Sequence, residues 1–466
     1  MSLPNGASPQ LGIRTRRKPK IFYGWWIVIT AVFLNIYQGG VLFYGFTLVF
    51  DPMTEEMSWS KTQVTATYPI IGLTIAVLAP FVGSLFDRIG PRPLIAVGMS
   101  IVGTGLIMLH SVDSLPMFYL WFSLANIGSV GMFLSVGPTV ANWFFRRRGR
   151  ALGIFSMGFA LAGIVAPLLY VLIDGASWGG FQFDGVGWRD SYLIVGIIFL
   201  LLMPIAVLIF RHRPEDIGLY PDGAERPPLE ASTAVEFSRD AEMNTTARQA
   251  LRTQAFWLMA FGSAFTFLTI AALEVHWVPY LGSVGFSRES AAFFLPLLPL
   301  GTLLGRISFG FLADLWDTKR VTALAFAVQA VAVLVLSQID ATREWTVYMF
   351  IIMWGIGFGG TVVSRMALQG YLFGRNSFGA LQGMLSMTGE AGFAFAPLLA
   401  SVVFESLGTY RPLFMAFATL ALLAAPIILL IRRPRPVLPG FAPAVPRTDA
   451  LVEGERESRA ETREDA

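Results

Sequence analysis

Twelve apolar runs divide the chain, and charged or turn-rich stretches separate them. In the first half they are Ile27 to Phe50, Val64 to Phe86, Pro93 to His110, Met117 to Phe144, Ala151 to Ile173 and Ser191 to Phe210. The second half gives Phe256 to Leu281, Ser290 to Leu312, Val321 to Ile339, Thr346 to Gln369, Ala380 to Phe404 and Pro412 to Ile431. A bilayer core of about 30 Å needs roughly 20 apolar residues per helix, and these runs have that length. They are apolar on nearly every side, whereas buried helices of a soluble protein keep a polar outer face. The pattern predicts an all-α, multi-pass membrane protein with twelve transmembrane helices.

Two polar segments interrupt the series. Arg211 to Arg252, with Pro227, Pro228 and charges of both signs, reads as a linker between two bundles of six. The stretch after Pro434 is Pro-rich and then charged, a composition that does not fold by itself. The expected organisation is an N-terminal tail 1–20, a bundle 21–210, the linker 211–252, a second bundle 253–433 and a disordered tail 434–466. Basic residues gather in alternate loops: Arg14, Arg16, Arg17, Lys18 and Lys20, then Arg88 and Arg92, Arg146 to Arg148 and Arg150, Arg211 and Arg213, Lys319 and Arg320, Arg375, and Arg432, Arg433 and Arg435. The intervening loops hold only Lys61, Arg189, Arg288, Arg343 and Arg411. This asymmetry predicts a cell-membrane protein with both termini in the cytoplasm. The basic head is expected to stay in the mature protein, because its apolar run is too long for a signal peptide and lacks a small-residue cleavage site.

The chain also repeats itself. Gly83-Ser-Leu-Phe-Asp87 after the second run returns as Gly310-Phe-Leu-Ala-Asp314 after the eighth, 227 residues later. Ala166-Pro-Leu-Leu169 returns as Ala396-Pro-Leu-Leu399, and Gly153, Ser156 and Met157 match Gly383, Ser386 and Met387, all 230 residues later. An offset of six helices is an even number, so both copies run the same way through the membrane.

On these residues the chain resembles the major facilitator superfamily. Gly83-x-Leu-x-Asp87-Arg88-x-Gly90-x-Arg92 is similar to its signature between helices 2 and 3. Tyr23-Gly24-Trp25-Trp26, the run Trp143 to Gly153 entering helix 5, and Arg213-Pro-Glu-Asp-Ile-Gly-Leu219 resemble the monocarboxylate transporter and oxalate/formate branch. The resemblance implies two parallel-repeat six-helix bundles and a secondary transporter. Asp87, Arg88, Arg92 and Asp314 are the expected conformational latch: an Asp at a helix end beside Arg and Gly can hold two helix ends together in one state and release them in another. The Arg146 to Arg150 cluster reads as a topology anchor.

Composition narrows the chemistry. Of 466 residues, 55% are apolar and 14% charged, too few charges for a soluble enzyme of this size. The net charge of +3 carries no nucleic-acid footprint. With no Cys and three His, neither a metal nor another cofactor is expected, and no phosphate-binding Gly-x-x-x-x-Gly-Lys segment is present.

Ionisable residues inside spans are costly and therefore site candidates. Glu274, Arg306, Arg365 and Glu390 qualify. The resemblance implies that Arg306, in helix 8, binds the substrate carboxylate, and a planar guanidinium fork suits that task. Glu390 lies at similar depth and is expected to pair with Arg306 and carry a proton, with Glu274 and His276 as further proton candidates. Arg365 is expected to snorkel toward the cytoplasmic end. Tyr37, Gln38, Tyr44, Tyr68 and Asn126 are the polar candidates for lining the cavity in the first half. Thr302 stands where animal members of the branch carry an Asp, Gly45 is the nearest counterpart of a Lys in helix 1, and Glu390 lies in the helix where oxalate-type members carry a Lys. The leading expectation is a monomeric transporter of a small organic anion with a proton. The alternatives are a proton-driven exporter of apolar or cationic compounds, with Glu390 or Glu274 as recognition acid, and a transporter-like sensor that moves nothing.

Overall fold

The computed structural model describes residues 21–60, 63–64, 66–178, 181–224, 245–287, 290, 293–294 and 297–433. The expected tails 1–20 and 434–466 and the middle of the linker, 225–244, lie outside them.

Helices dominate. The first bundle begins with α1, Tyr23–Gln38 continuing through a π turn Gly39–Tyr44 into Gly45–Met57. It continues with α2 (Thr67–Ile89), α3 (Pro91–Leu109) and α4 (Leu115–Trp143). Then come α5, Arg148–Leu161 with a 3-10 turn Ala162–Ile164 and Val165–Asp174, and α6 (Gly187–Ile209). The second bundle comprises α7 (Gln254–Ser283), α8 (Leu297–Leu315), α9 (Thr318–Leu336), α10 (Trp345–Phe373), α11 (Phe378–Leu407) and α12 (Arg411–Leu429). Nine helices among the described residues are long and apolar enough to cross a membrane. Phe81, Leu168, Leu201 and Leu208 are about two-thirds exposed on outward faces, as lipid contact requires. Among the described residues the all-helical architecture has one departure, a hairpin between α5 and α6 whose strands Ala176–Trp178 and Phe181–Phe183 pair antiparallel.

Helix ends follow local chemistry. Gly90, at φ 78°, takes a left-handed conformation that favours glycine, and Pro91 starts α3, so the chain reverses between α2 and α3 in one residue. The irregular turns of α1 and α5 face each other: a methyl on Gly39 would lie 2.9 Å from the Ala162 Cβ, and one on Gly40 would collide with Val165. Non-α backbone at this depth is tolerated because protein, not lipid, surrounds it.

The bundles meet along α2 with α11 and α5 with α8. Backbones touch there. A methyl at Gly83 would strike the Gly379 carbonyl, and one at Gly310 would sit 2.8 Å from the Gly149 oxygen. Small residues at these crossings allow close packing without side chains between the helices. Both crossings lie next to the Arg-rich loops, so the basic face of the molecule is closed.

The linker begins as folded structure. After α6 it forms 3-10 turns at Pro214–Ile217 and Pro221–Gly223, and a short helix Ala247–Leu251 leads into α7. Asp222 accepts backbone hydrogen bonds from Phe145 (2.9 Å), Arg146 (2.7 Å) and Arg147 (3.2 Å), in the loop before α5. Glu215 pairs with Arg375 at 2.6 Å, and Arg213 donates to Asn376 at 3.2 Å, in the loop before α11. Under the 230-residue repeat, Phe145 and Arg146 correspond to Arg375 and Asn376. This strap therefore grips the same loop in both copies.

Candidate functional site

The residues expected to form a latch divide into two kinds. Asp87, at the end of α2, accepts from the backbone N–H groups of Gly379 (3.0 Å) and Ala380 (2.8 Å) at the start of α11. Asp314, at the end of α8, accepts from Gly149 (2.6 Å) and Arg150 (3.0 Å) at the start of α5 and pairs with the Arg150 Nε at 3.1 Å. Each carboxylate caps a helix N-terminus of the opposite bundle, where unsatisfied N–H groups and the helix dipole favour negative charge. The two arginines do not join them. Arg88 is exposed on the basic face. Arg92 donates to the carbonyls of Phe210 (2.8 Å) and Leu208 (3.3 Å), finishing α6 within its own bundle. The cluster expected to be a topology anchor also makes specific contacts: Arg150 pairs with Asp314, and buried Arg148 donates to the carbonyls of Ala141 and Phe144 beside Gly370 of α10.

Arg306 lies on the bundle boundary and is buried. Its backbone carbonyl faces Gly153 of α5, its Nη1 donates to the Ser156 carbonyl, and its guanidinium lies 5.9 Å from the Phe159 ring centre. Asn35 of α1 donates to the neighbouring Phe155 carbonyl at 3.2 Å, so α1, α5 and α8 converge on one turn of α5. Phe159 and Asn35 were not singled out from the sequence, and Ser156 only by its repeat match. The repeat match at Ser156 was the one signal pointing there.

The partner expected for Arg306 differs. The charge that faces Glu390 is Arg365, not Arg306. Thr302, one turn before Arg306, donates to the carbonyl of Pro299 in its own helix. Arg365 does not snorkel to the basic end: it is buried, and its guanidinium lies 5.1 Å from the centre of the Phe267 ring of α7. Helical side chains lean toward the N-terminus, which in α10 is away from the basic face.

The polar residues of the first half divide. Gln38 donates to the Ser129 backbone carbonyl at 3.4 Å and so ties α1 to α4, whereas the Asn126 side chain donates to the backbone carbonyl of Phe122 in its own helix at 2.9 Å. Tyr37 instead turns toward α6, where its hydroxyl donates to Val195 at 2.9 Å and its ring meets Phe199 edge-on. It is a packing residue inside the bundle. The ring nitrogens of His276 meet the hydroxyls of Tyr410 (3.2 Å) and Ser401 (3.5 Å), tying α7 to α11 and the start of α12. Tyr44 and Tyr68 lie in helical backbone of α1 and α2 and Glu274 in that of α7, but their side chains are outside the described set. Among the described residues no group of three His, Asp or Glu that could hold a metal ion occurs.

The family profile described as Major Facilitator Superfamily matches residues 28–379 and 277–460. The chain belongs to the major facilitator superfamily. It is 24% identical to rat Monocarboxylate transporter 2 over 424 residues, covering 88% of this chain and 83% of that protein. It is 25% identical to a Gentisate transporter of Corynebacterium glutamicum over 431 residues, 89% of this chain and 87% of that protein. A solved structure of the human organic anion transporter MFSD10 superposes with a TM-score of 0.64 at 13% identity, over 86% of this chain and 99% of that one, which shows the shared fold. The chain is thus an integral membrane transporter of this superfamily, related to monocarboxylate transporters.

Proposed function

We propose that the protein moves a small organic carboxylate, together with a proton, across the cell membrane by alternating access, as a monomer with its basic face, linker and both termini in the cytoplasm. The observation that carries this reading is Arg306. A permanently charged fork is buried at the bundle boundary, where it donates to a backbone carbonyl of the opposite bundle. A carboxylate is a stronger acceptor than a carbonyl, so cargo entering from the far face takes over that donor and loosens the tie between α8 and α5. Binding and the conformational change then share one residue. Glu390 is the proton carrier in this reading, and Gln38 and Asn126 line the first-half wall.

The exporter alternative calls for an acid free to receive a cationic compound; of its two candidates, Glu390 already faces the charge of Arg365, and the Glu274 side chain lies outside the described set. Flux into proteoliposomes, with pH gradient and membrane potential imposed separately, tests the proposal. Uptake of a monocarboxylate driven by the pH gradient supports it. Transport of organic cations with no carboxylate flux would replace it with the exporter reading.

A further inference from the structure

Arg365 has no task in the scheme above, yet it is the second buried guanidinium of the C-terminal bundle. Its Nε and Nη1 have no hydrogen-bond partner among the described residues. Glu390 faces it as an opposite charge, but no direct hydrogen bond joins the two. Three helices converge at this point. The Phe267 ring of α7 lies under the guanidinium, and Gly389 of α11, the neighbour of Glu390, packs so closely on that ring that an added methyl would sit 3.2 Å from it. Removing the side chain at position 389 thus brings the Glu390 backbone up to the aromatic floor on which Arg365 rests.

Depth links this cluster to Arg306. Under the 230-residue repeat, Phe159, on which Arg306 lies, corresponds to Gly389. The two guanidiniums therefore occupy one level of the molecule, one on the bundle boundary and one between α7, α10 and α11. Each lies over a phenylalanine ring, which holds the planar fork while leaving its N–H edge available. A buried arginine with open donors at the level of the cargo site is a receptor for oxygen atoms.

We propose that Arg365, resting on Phe267 and facing Glu390, is a second anchoring point for the cargo, which is therefore a carboxylate carrying a second oxygen group, a hydroxyl or a carboxylate. The inference rests on the carboxylate reading of Arg306. When the pocket is empty, Glu390 balances the charge of Arg365. When cargo is bound, the second oxygen group accepts from the open Nε and Nη1 edge.

The test is ligand affinity of purified protein by isothermal calorimetry, with benzoate and propionate as single-function acids and meta-hydroxybenzoate, isophthalate and succinate as bifunctional ones. The wild type is expected to bind at least one bifunctional acid about tenfold more tightly than its single-function counterpart. Arg365→Gln should abolish that preference, while a wild-type elution profile and circular dichroism spectrum report intact folding. Arg365→Lys, which keeps the charge but not the fork, should retain only part of the preference. An undiminished preference in Arg365→Gln, or none in the wild type, overturns the second anchoring point. Equal binding of benzoate and propionate by the wild type and Arg306→Lys would instead remove the Arg306 reading and the second anchoring point that rests on it, and no binding of any acid would end both.

Discussion

The carboxylate of Asp87 caps the backbone N–H of Ala380 at 2.8 Å, across the boundary between the bundles, and Asp314 caps Arg150 at 3.0 Å in the repeat-related position. One residue type ties the two bundles together twice at the basic face. Hydrogen bonds to a charged group contribute roughly 1.5–3 kcal/mol, so replacing either Asp by Asn should shift the balance toward an open basic face by about tenfold or more. A single cysteine placed at Ser84, near the α2–α11 crossing, should react faster in Asp87→Asn than beside an intact Asp87. Equal reaction rates would show that the carboxylates do not hold this state.

Arg306→Lys keeps the positive charge and loses the planar fork. Carboxylate affinity should fall by about tenfold, on the order of 1–3 kcal/mol, and the direct tie to the Ser156 carbonyl should weaken as well. Calorimetry on the purified variant measures the first effect. Wild-type affinity in this variant would remove Arg306 from the site.

His212 supplies a pH dependence on the basic face. It stacks on Phe86 at 5.1 Å, and burial there, followed by the neighbouring Arg213 charge, lowers its pKa below the usual 6.5. Arg375 pushes the same way, while Asp216 and Glu215 oppose it. The folded protein therefore binds fewer protons at this site than the unfolded chain, so the site's contribution is present above pH ~6.5 and is lost as the pH falls below it. His212→Gln should flatten the fall in melting temperature between about pH 7 and pH 5. A slope identical to the wild type would assign that fall to other groups.

Topology can be read directly because the chain has no cysteine. Single cysteines at Asp113 and Arg343 should react with an impermeant reagent in intact cells, whereas cysteines at Ser232 and Ser458 should react only after permeabilisation. Reaction at Ser232 from outside would invert the orientation.

Spans and repeat were legible in the sequence because they are properties of composition along the chain, and lipid enforces them. That Asp87 and Asp314 make equivalent contacts follows from the same repeat, since two copies of one motif imply two equivalent contacts, but which helix ends they meet, those of α11 and α5, had no mark in the sequence. Direction around a helix was less legible. Tyr37 and Gln38 are neighbours in sequence, yet Tyr37 faces α6 and Gln38 faces α4. Arg365 sits toward the basic end of its helix, and only the tilt of its side chain carries the charge back toward Phe267. The π turn of α1 and the 3-10 turn of α5 had no compositional mark, because Gly39, Gly40 and Gly163 are equally compatible with regular helix crossings in a membrane.

The strap after α6 changes what the chain between the bundles has to do. Asp222 fixes residues up to Gly223 to the first bundle, and the short helix Ala247–Leu251 adjoins α7 of the second. Only about twenty residues, 225–244, are left to bridge the two, and at ~3.3–3.6 Å each they span up to roughly 70 Å when extended. That length far exceeds the displacement of helix ends in a rocking motion. The covalent connection therefore sets no limit on the swing, and continuity of the polypeptide is dispensable for it. Residues 1–232 and 233–466, made as separate chains in one cell, should find each other through the α2–α11 and α5–α8 crossings and reassemble a working transporter.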